Sequence, residues 1–538
     1  MTTVREATID LLRAHGFDTW FGNPGSSELS LLQDFPADMR YILGLQEMVP
    51  VGMADAYAQI TRHPALVNLH TAPGVGNAMG AIYNAAMNKT PLLITAGNQR
   101  RDMQNQGCLL TNADATILPK PFVKWSAEPA TAGEVPAVLA HAIHIATTPP
   151  HGPVFVSLPM DDMDVELDQR RLADIAVLRD RGVVHGGYLS ESTINALAAR
   201  LDAARSPVLI VGGDVERFGA RDAAVALAER TGSVVWTAPF PGLSGFPENH
   251  PNYRGMLPPG AGWISQVLAG HDLIVVIGAP VFRYYPHIEG PYLPDGASLI
   301  HLTNDPDEAA RAPMGQAFVT DILSATAALA KAVSLTYHPM PPARPAPTEL
   351  VSTAAPLTPQ ALWAAARRAA PADTLWVTEA ATHETAILDA IRPEPAFSHL
   401  SAAGGGLGFG AAAAVGAQLA APHRPVICAI GDGAIHYAIT ALWTAARYKI
   451  PVTFVVASNT EYGILKQFGQ LENTPGVPGL DLPGLDIVAT ATSYGVDAHH
   501  ASSTDEVTEL LRAGIADRDR PTLINAPSAT VGGRQLPT

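Results

Sequence analysis

The sequence predicts an α/β protein made of three doubly wound domains, each a parallel sheet with helices on both faces. Three observations predict this class. Apolar, strand-like runs alternate with helix-like stretches along nearly the whole of the 538-residue chain, which is typical of sheets buried on both sides. Two breaks divide the chain into blocks of similar size. Hydrophobic residues make up 47% of the sequence, enough to fill three cores.

The two breaks place the domain boundaries. Residues 159–181 are acidic and then mixed in charge, without a clear strand, and residues 338–358 are dense in proline, which is typical of a linker. The predicted units are a first domain over 1–180, a central domain over 181–340, a linker over 341–358 and a third domain over 359–538.

Charge and cysteine content exclude several classes of function. The net charge of −16, from 34 basic and 50 acidic residues, argues against nucleic acid as a partner, because phosphate backbones need a basic surface. Cys108 and Cys428 form neither a metal-type pair nor a disulfide framework. The N-terminal stretch has the pattern of an amphipathic helix without the apolar core of a signal peptide. We therefore expect a cytoplasmic protein with no membrane segment.

The blocks contain recognisable strand–helix units. The first block has a strand, a Gly-rich turn with its helix, and a second strand in PALVNLH, TAPGVGNAMGAIYNAAMNK and PLLITAG. The third block repeats that order in PVICAI, GDGAIHYAITALWTAARYK and PVTFVVA. The middle block predicts a smaller Rossmann-like sheet from SPVLIVGGDV, GSVVWTAP, DLIVVIGAPV and ASLIHLTND. Two comparable outer domains favour a ligand held between one and the other.

In the third block, polar side chains follow two neighbouring strands. Asp432 lies between Gly431 and Gly433, and Asn459 follows the next strand. The glycines allow a sharp turn, and the helix N-terminus is suited to an anion. An acid beside a phosphate is reasonable when a divalent cation lies between them, and Asp432, the Asn459 amide and a nearby main-chain carbonyl are oxygen ligands that suit Mg²⁺. The helix is predicted to bury one face, formed by Ile435, Ile439, Leu442 and Ala446.

This arrangement is the thiamine diphosphate motif, and the rest of the chain supports the resemblance. The sequence resembles the pyruvate-decarboxylase-type superfamily of thiamine diphosphate enzymes, and most closely the benzoylformate decarboxylases. The similar stretches lie between residues 21 and 486 and include FGNPGSSELSLLQDFP, RYILGLQEM, NLHTAPGVGNAMG, FVKW, GHDLIVVIGAPVFRYY, EAARAPMG, AAGGGLGFG, TALWTAA and VPGLDLPGLD.

The resemblance implies a cofactor, a metal and their ligands. Thiamine diphosphate would bind with Mg²⁺ or Ca²⁺, its pyrimidine on the first domain and its diphosphate on the third. Asp432, Asn459 and the main-chain carbonyl of Glu461 would hold the metal, although this chain reads SNTEY where relatives often read NNGxY. Leu407 would bend the cofactor, and the Gly405 carbonyl would accept a bond from its aminopyrimidine. The implied cofactor contacts are Asn23, Pro24, Gly25, Glu47, Asn77, Ala381, Thr382, Gly405, Leu407, Gly431, Asp432, Gly433, Ala434, Asn459, Glu461, Tyr462, Gly463 and Ile464.

Three residues of the first domain are candidate catalytic groups by the same resemblance. Glu47 would share a proton with a pyrimidine nitrogen, and its apolar neighbours predict a buried carboxylate with a raised pKa. Ser26 would hydrogen-bond the substrate carboxylate, although a helix N-cap shared with Ser27 is an equally good reading. His70 would act as the acid–base group near the reacting carbon; a satisfied structural histidine at a strand end is the alternative.

The chain departs from benzoylformate decarboxylases around the substrate. Their second active-site histidine is replaced by Tyr285, with His287 two residues later. Either Tyr285 transfers the proton, or the loop presents His287, or the product-forming step differs. The predicted pocket comprises Ser26, His70, Ser401, Ile464, Leu465 and Phe468, with Ser401 at a position that is often aromatic in the family.

The resulting prediction is a lyase that decarboxylates a 2-keto acid without oxidation, with an aryl acid such as benzoylformate preferred and carboligation as a side activity. The alternatives are an acetolactate-synthase-like carboligase, with FAD or another nucleotide in the central domain, and a decarboxylase of a branched or aliphatic 2-keto acid. A non-catalytic thiamine diphosphate-binding protein is the distant alternative. The resemblance also implies a homotetramer, a dimer of dimers with active sites at the dimer interface.

Overall fold

The predicted fold class is confirmed. The structure is a computed structural model that describes residues 2–179, 181–334 and 342–530. Within those residues, eighteen strands form three sheets of six, and every strand pair in them is parallel. The strands of each sheet come from one of the three predicted domains. The proposed boundaries at residues 180 and 340–341 and the end at 538 lie outside the described residues.

The first sheet has the strand order β2-β1-β3-β4-β6-β5. Its strands are β1 Thr19–Gly22, β2 Arg40–Leu43, β3 Ala65–Leu69, β4 Leu92–Asn98, β5 Trp125–Ala127 and β6 Val154–Pro159. Its helices are α1 Val4–Ala14, α2 Leu29–Leu32, α3 Met48–Thr61, α4 Thr71–Met87, α5 Val135–Thr147 and α6 Gln169–Arg179.

The central sheet has the order β12-β11-β10-β7-β8-β9, which is the Rossmann order. Its strands are β7 Pro207–Val211, β8 Val234–Thr237, β9 Tyr253–Met256, β10 Leu273–Ile277, β11 Ser298–Thr303 and β12 Gln316–Val319. Its helices are α7 Glu191–Ala203, α8 Gly213–Arg217, α9 Arg221–Thr231, α10 Ala261–Val267, α11 Pro306–Arg311 and α12 Ile322–Ala332.

The third sheet, β14-β13-β15-β16-β18-β17, repeats the topology of the first. Its strands are β13 Leu375–Glu379, β14 His399–Ser401, β15 Val426–Gly431, β16 Val452–Ser458, β17 Asp497–His500 and β18 Thr522–Pro527. Its helices are α13 Pro359–Ala369, α14 Glu384–Ile391, α15 Phe409–Ala420, α16 Asp432–Ile435, α17 Ala441–Arg447, α18 Gly463–Leu471, α19 Ile487–Ser493 and α20 Thr504–Ala516. No described helix combines the length and apolar composition that a bilayer crossing requires.

The helix predicted after Asp432 is not continuous. The chain forms α16, then a 3-10 turn over His436–Ala438, and then α17. The predicted apolar face is nevertheless directed inward, because Ile435 and Leu442 are fully buried and Ile439 packs against the same core. The apolar periodicity therefore predicted burial correctly but did not reveal the break in the helix.

The outer domains meet through two closely packed helices, α3 and α15. A Cβ at Gly416 would lie 1.9 Å from the Met53 carbonyl oxygen, and one at Gly52 would lie 2.8 Å from Ala412 Cβ. A larger residue at either glycine would force the helix backbones apart. This contact places the first and third sheets side by side in one chain.

We expect Gly416→Val to destabilise the protein by about 3 kcal/mol, because the neighbouring atom is main chain and cannot move aside. Chemical denaturation followed by circular dichroism measures the change. Gly182→Ala, at a position with no atom within 4 Å of the added Cβ, is the control. An unchanged unfolding midpoint for Gly416→Val would contradict the described helix contact.

The crevice of the central Rossmann sheet is filled by protein. In this topology nucleotides bind where the strand order reverses, here between β7 and β10. A Cβ at Gly212 would lie 2.4 Å from the Gly278 carbonyl oxygen, and the Asp214 carboxylate accepts a 2.9 Å hydrogen bond from Lys89 Nζ of the first domain. The cavity that is left measures about 20 Å³, room for about one water molecule. A flavin nucleotide could bind there only if these contacts opened.

Candidate active site

The predicted site residues follow strands at equivalent places in the two outer sheets. In doubly wound sheets, ligands bind beyond the carboxyl ends of the strands where the order reverses. In the first sheet this point lies between β1, which leads into Asn23–Gly25, and β3, which leads into His70. In the third sheet it lies between β13, followed by Ala381 and Thr382, and β15, which ends at Gly431 beside Asp432.

His70 is oriented by a buried carboxylate that the sequence analysis missed. Its Nδ1 lies 2.8 Å from Glu28 Oε2 and 3.2 Å from the Ser27 hydroxyl. Because an ionised carboxylate only accepts hydrogen bonds, Nδ1 carries the proton in the neutral ring. Nε2 is then the free nitrogen, and no described residue hydrogen-bonds to it. An imidazole fixed in this way is suited to proton transfer.

Glu28 is held in place by main-chain donors. Its Oε2 accepts from Gly25 N at 2.8 Å, and its Oε1 accepts from Gly97 N at 2.7 Å and from the Ser27 hydroxyl at 2.9 Å. The side chain is fully buried. A Cβ at Gly25 would lie 2.2 Å from His70 Nδ1, which explains the glycine there. The acid in FGNPGSSEL was the available sequence indication of this network.

The N-cap reading of Ser26 and Ser27 is wrong. The first turn is a 3-10 helix over Ser26–Glu28 whose N-cap is Gly25. The Ser27 hydroxyl is engaged with Glu28 and His70 instead. Ser26 is exposed, and no described residue hydrogen-bonds to its hydroxyl. That leaves the Ser26 hydroxyl available to a ligand.

Glu47 lies at the N-cap of α3, opposite the first turns of α4. Its Oε2 accepts a 3.0 Å hydrogen bond from Asn77 Nδ2, and a Cβ at Gly74 would lie 3.4 Å from its Oε1. The carboxylate is only half-buried, and its neighbour Leu45 is 44% exposed. The expected enclosure of Glu47 is therefore incomplete in the single chain.

The predicted metal clamp is built around Asp432. This side chain is buried, with Oδ1 accepting from Gly433 N at 2.8 Å and Oδ2 accepting from Thr460 N at 2.6 Å. Burial raises the pKa of Asp432, and no Lys, Arg or His in the described part of the chain pairs with it. A buried carboxylate without a cation fits a bound metal ion, which would compensate for its lost hydration.

The turn after β16 contains the other predicted oxygen ligands. Asn459 Oδ1 accepts a 3.2 Å hydrogen bond from Glu461 N. Thr460 occupies the left-handed region at φ 56°, at the place where relatives often have glycine. The Glu461 side chain pairs with Lys466, and the predicted ligand at this position is the main-chain carbonyl. No group of three His, Cys, Asp or Glu residues in the described chain forms a metal site, and this donor set instead relies on amide and carbonyl oxygens.

The loop that contains Gly405 and Leu407 is fixed from two sides. Glu379, at the end of β13, accepts hydrogen bonds at 2.9–3.1 Å from the main-chain N–H groups that begin α15, those of Gly408, Phe409 and Gly410. Burial raises the pKa of Glu379 to about 8. From the first domain, Asn84 exchanges two hydrogen bonds with the main chain of Gly406, at 2.8 and 3.1 Å. Sequence analysis missed both residues.

Four of the six predicted pocket residues lie on α18 and β14 of the third domain, whereas Ser26 and His70 lie in the first domain. Ile464, Leu465 and Phe468 share α18, and Ser401 ends β14, with its N–H donating to the Gly242 carbonyl at 2.9 Å. The Tyr285 ring packs edge-to-face on Phe468 with a centroid distance of 5.2 Å. His287 is exposed, and no described residue pairs with it. Tyr285 is thus the residue of this loop that lies against the pocket helix.

The other predicted cofactor residues surround the clamp. A Cβ at Gly433 would lie 2.7 Å from the Tyr462 ring, and one at Gly463 would lie 3.0 Å from Asn459 Nδ2 and 3.1 Å from Thr382 Cγ2. Ala434 belongs to α16 and is buried. The side chains of the first-domain set, Ser26, Glu47 and His70, make no hydrogen bond or ion pair with the third domain among the described residues. These two separate groups of predicted residues, one in the first domain and one in the third, are referred to below as the half-sites.

Comparison with known proteins agrees with this architecture. Three family profiles match in chain order: the thiamine pyrophosphate enzyme N-terminal TPP binding domain at residues 2–116, the central domain at 194–329 and the C-terminal TPP binding domain at 380–526. The fold and the two half-sites thus define a thiamine diphosphate-dependent enzyme.

Full-length relatives narrow the class further. The chain is 46% identical to a benzoylformate decarboxylase from Pseudomonas aeruginosa, over 99% of this chain and all of that protein. A solved thiamine diphosphate-dependent 4-hydroxybenzoylformate decarboxylase from Rhodococcus jostii has a TM-score of 0.95 at 45% identity, over 98% of this chain and 99% of that one. A benzoylformate decarboxylase structure from Polynucleobacter necessarius has a TM-score of 0.94 at 40% identity, with the same shares covered. The chain belongs to the benzoylformate decarboxylase family, as the resemblance predicted.

Proposed function

We propose that this enzyme decarboxylates an aryl 2-keto acid without oxidation, converting benzoylformate or a ring-hydroxylated analogue to the aldehyde and CO₂. The 46% identity to a benzoylformate decarboxylase over the full length carries the proposal. The ring of Phe468 and the edge-packed Tyr285 support an aryl substrate, because aromatic rings favour such contacts. The filled crevice of the central sheet argues against a flavin-containing carboligase.

Thiamine diphosphate, when bound, supplies the electron-accepting ring that takes up the electrons released as CO₂ leaves. Asp432, Asn459 and the Glu461 carbonyl would hold its diphosphate through Mg²⁺ or Ca²⁺, with backbone support from Gly431 and Gly433. Glu47 would keep a proton on the pyrimidine, assisted by Asn77. Leu407 would set the bend of the cofactor, and the Gly405 carbonyl would orient the aminopyrimidine.

The protein must also bind the acid and return a proton to the product. The exposed Ser26 hydroxyl is suited to donate to the substrate carboxylate. His70 Nε2 is free to exchange the proton at the reacting carbon, because Glu28 keeps the other ring nitrogen protonated. Tyr285 takes the place of the second histidine, since its ring, unlike His287, lies against the pocket helix.

The two half-sites support an assembly as part of the proposal. A second copy that supplies the first-domain set would cover Glu47 and complete the site, which gives a dimer with two sites and, by resemblance, a homotetramer. Cytoplasmic location stays a prediction.

CO₂ release from benzoylformate, 4-hydroxybenzoylformate, pyruvate and a branched aliphatic 2-keto acid, with thiamine diphosphate and Mg²⁺ present, tests the proposal. We expect turnover of an aryl acid at least about tenfold faster than that of the aliphatic acids, a difference of ~1.4 kcal/mol that shape selection in a pocket readily supplies. A preference for an aliphatic acid would overturn the substrate class. Consumption of the acid without free aldehyde would indicate a carboligase.

We expect Glu28→Gln to lower kcat about 10²-fold, because the glutamine amide can donate to Nδ1 and leave the proton on the wrong nitrogen of His70. Steady-state kinetics on the preferred acid measure the loss. Glu166→Gln, at an exposed position of the same domain, is the control. Equal rates for Glu28→Gln and the control would show that His70 does not depend on Glu28.

A further inference from the structure

One buried guanidinium connects all three domains. Arg283 Nη1 donates to the carbonyl oxygens of Phe240 in the central domain, at 3.1 Å, and of Ala403 in the third domain, at 3.0 Å. Its Nη2 donates to the Met87 carbonyl of the first domain at 3.0 Å. No carboxylate in the described residues forms an ion pair with it. Its hydrogen bonds go to main-chain carbonyls, and the nearby Glu308 and Asp214 carboxylates add a longer-range attraction.

Arg283 is not the only polar link between the central domain and the first domain. Burying an unpaired charge is costly, and the central domain is already joined to the first by Lys89, whose Nζ lies 2.9 Å from both Asp214 and Glu308. A planar guanidinium, however, can hold several acceptors in one fixed geometry. The three carbonyl groups that accept from Arg283 identify the segments that it positions.

Each carbonyl belongs to a segment that leads into the candidate site. Ala403 begins the turn to Gly405 and Leu407, and its N–H donates to Asn88 Oδ1 at 2.9 Å. Phe240 precedes Gly242, whose carbonyl accepts from Ser401 N. Met87 ends α4, the helix that carries Asn84 and Asn77.

Arg283 itself lies in the segment that contains Tyr285. Two residues after the guanidinium, Tyr285 N donates to the Pro259 carbonyl at 2.8 Å, and its ring meets Phe468. The position of the pocket wall and the position of the cofactor turn are therefore set at the same guanidinium.

We propose that Arg283 is a positioning residue that couples the wall bearing Tyr285 to the turn bearing Gly405 and Leu407. Through this coupling, Arg283 affects both substrate recognition and the position in which the cofactor binds. The effect of Arg283 on substrate recognition rests on the proposed function, whereas its effect on the binding of thiamine diphosphate does not.

The test uses Arg283→Lys and Arg283→Met in the full-length protein. Arg217→Lys is the comparison at the same junction, because Arg217 bonds Asp214 and the Asn88 carbonyl but not the carbonyls of Phe240, Ala403 or Met87. We expect Arg283→Met to weaken thiamine diphosphate binding about tenfold, measured by quenching of tryptophan fluorescence with Mg²⁺ present, and to lower kcat/KM about 10²-fold. Arg283→Lys keeps the positive charge but lacks the planar guanidinium, so it should retain part of the cofactor affinity and part of kcat/KM.

Coupling to the pocket is measured with Tyr285→Phe. In the wild-type background this change should lower kcat/KM about tenfold, and in the Arg283→Met background it should have little further effect. Additive losses, or equal losses in the Arg217→Lys control, would reduce Arg283 to a structural role and overturn the proposal. If no aryl acid is consumed, the proposed substrate class is wrong. The affinity for thiamine diphosphate then still tests whether Arg283 positions the turn that contains Gly405 and Leu407. Unchanged affinity in Arg283→Met would overturn the proposal for Arg283.

Discussion

Replacing Glu47 with glutamine is expected to abolish most of the decarboxylation, with a fall in kcat of about 10³-fold. Transfer of a proton by a positioned side chain contributes ~10²–10⁴-fold to enzymatic rates, and a glutamine amide cannot exchange a proton with the cofactor's pyrimidine. The geometry should change little, because the glutamine carbonyl can still accept the hydrogen bond that Asn77 donates to Glu47.

The measurement is CO₂ release under saturating thiamine diphosphate and Mg²⁺, together with cofactor affinity. Glu509→Gln, an exposed glutamate on α20, controls for the loss of one negative charge. Near wild-type rates for Glu47→Gln would contradict the assigned role. A loss of cofactor binding equal to the loss of rate would make Glu47 a binding residue and not a proton carrier.

Asp432→Asn should weaken metal-dependent binding of thiamine diphosphate by at least about 10²-fold. Loss of a group that merely supports a metal ligand already costs ~10–100-fold, and the carboxylate is the only charged ligand in the proposed set. Stability of the cofactor-free protein should fall by only about 1–3 kcal/mol, because the new NH₂ group faces one of the two main-chain donors, Gly433 N or Thr460 N, that the carboxylate accepts from.

Calorimetric titration of thiamine diphosphate with and without Mg²⁺ measures this loss, and thermal unfolding of the apo protein checks that the variant folds. Asp505→Asn changes an exposed acid on α20 of the same domain and should bind the cofactor normally. Tight, metal-dependent binding by Asp432→Asn would remove this residue from the clamp.

The same two variants test whether the site spans two chains. If Glu47 and Asp432 of one site come from different copies, each mixed dimer of the two inactive variants contains one intact site. Random pairing after co-expression should then restore about a quarter of wild-type activity. No recovery, with mixed dimers verified by affinity tags, would place both residues of a site in one chain.

Much of the architecture could be read from short segments of the chain. Strands such as β15 and β16 are continuous apolar runs with turn residues at their ends, and such local patterns predict buried parallel strands well. The predicted metal clamp rests on the same kind of local pattern, since Asp432 and Asn459 each directly follow a strand. The break in the helix after Asp432 could not be predicted, because a continuous helix and a helix interrupted by a 3-10 turn satisfy the same apolar spacing.

The partners of buried polar groups could not be predicted from the sequence. Glu28 and His70 are 42 positions apart, Arg283 and Met87 are 196 apart, and Asn84 and Gly406 are 322 apart. A polar residue in an apolar setting must find a partner, but the pattern around it does not say which. Likewise, the apolar neighbours of Glu47 predicted enclosure, although part of that surface stays open in the single chain.

The order of the elements, the class of cofactor and the residues at the strand ends are therefore local properties, set by hydrophobic period, turn chemistry and motif spacing. Packing between distant segments determines three other features. These are the tautomer of His70, the contact of Tyr285 and not His287 with α18, and the position of the turn that contains Gly405 and Leu407. Hydrogen bonds and ring contacts act over a few ångströms, so the folded arrangement alone decided which residues came within that range.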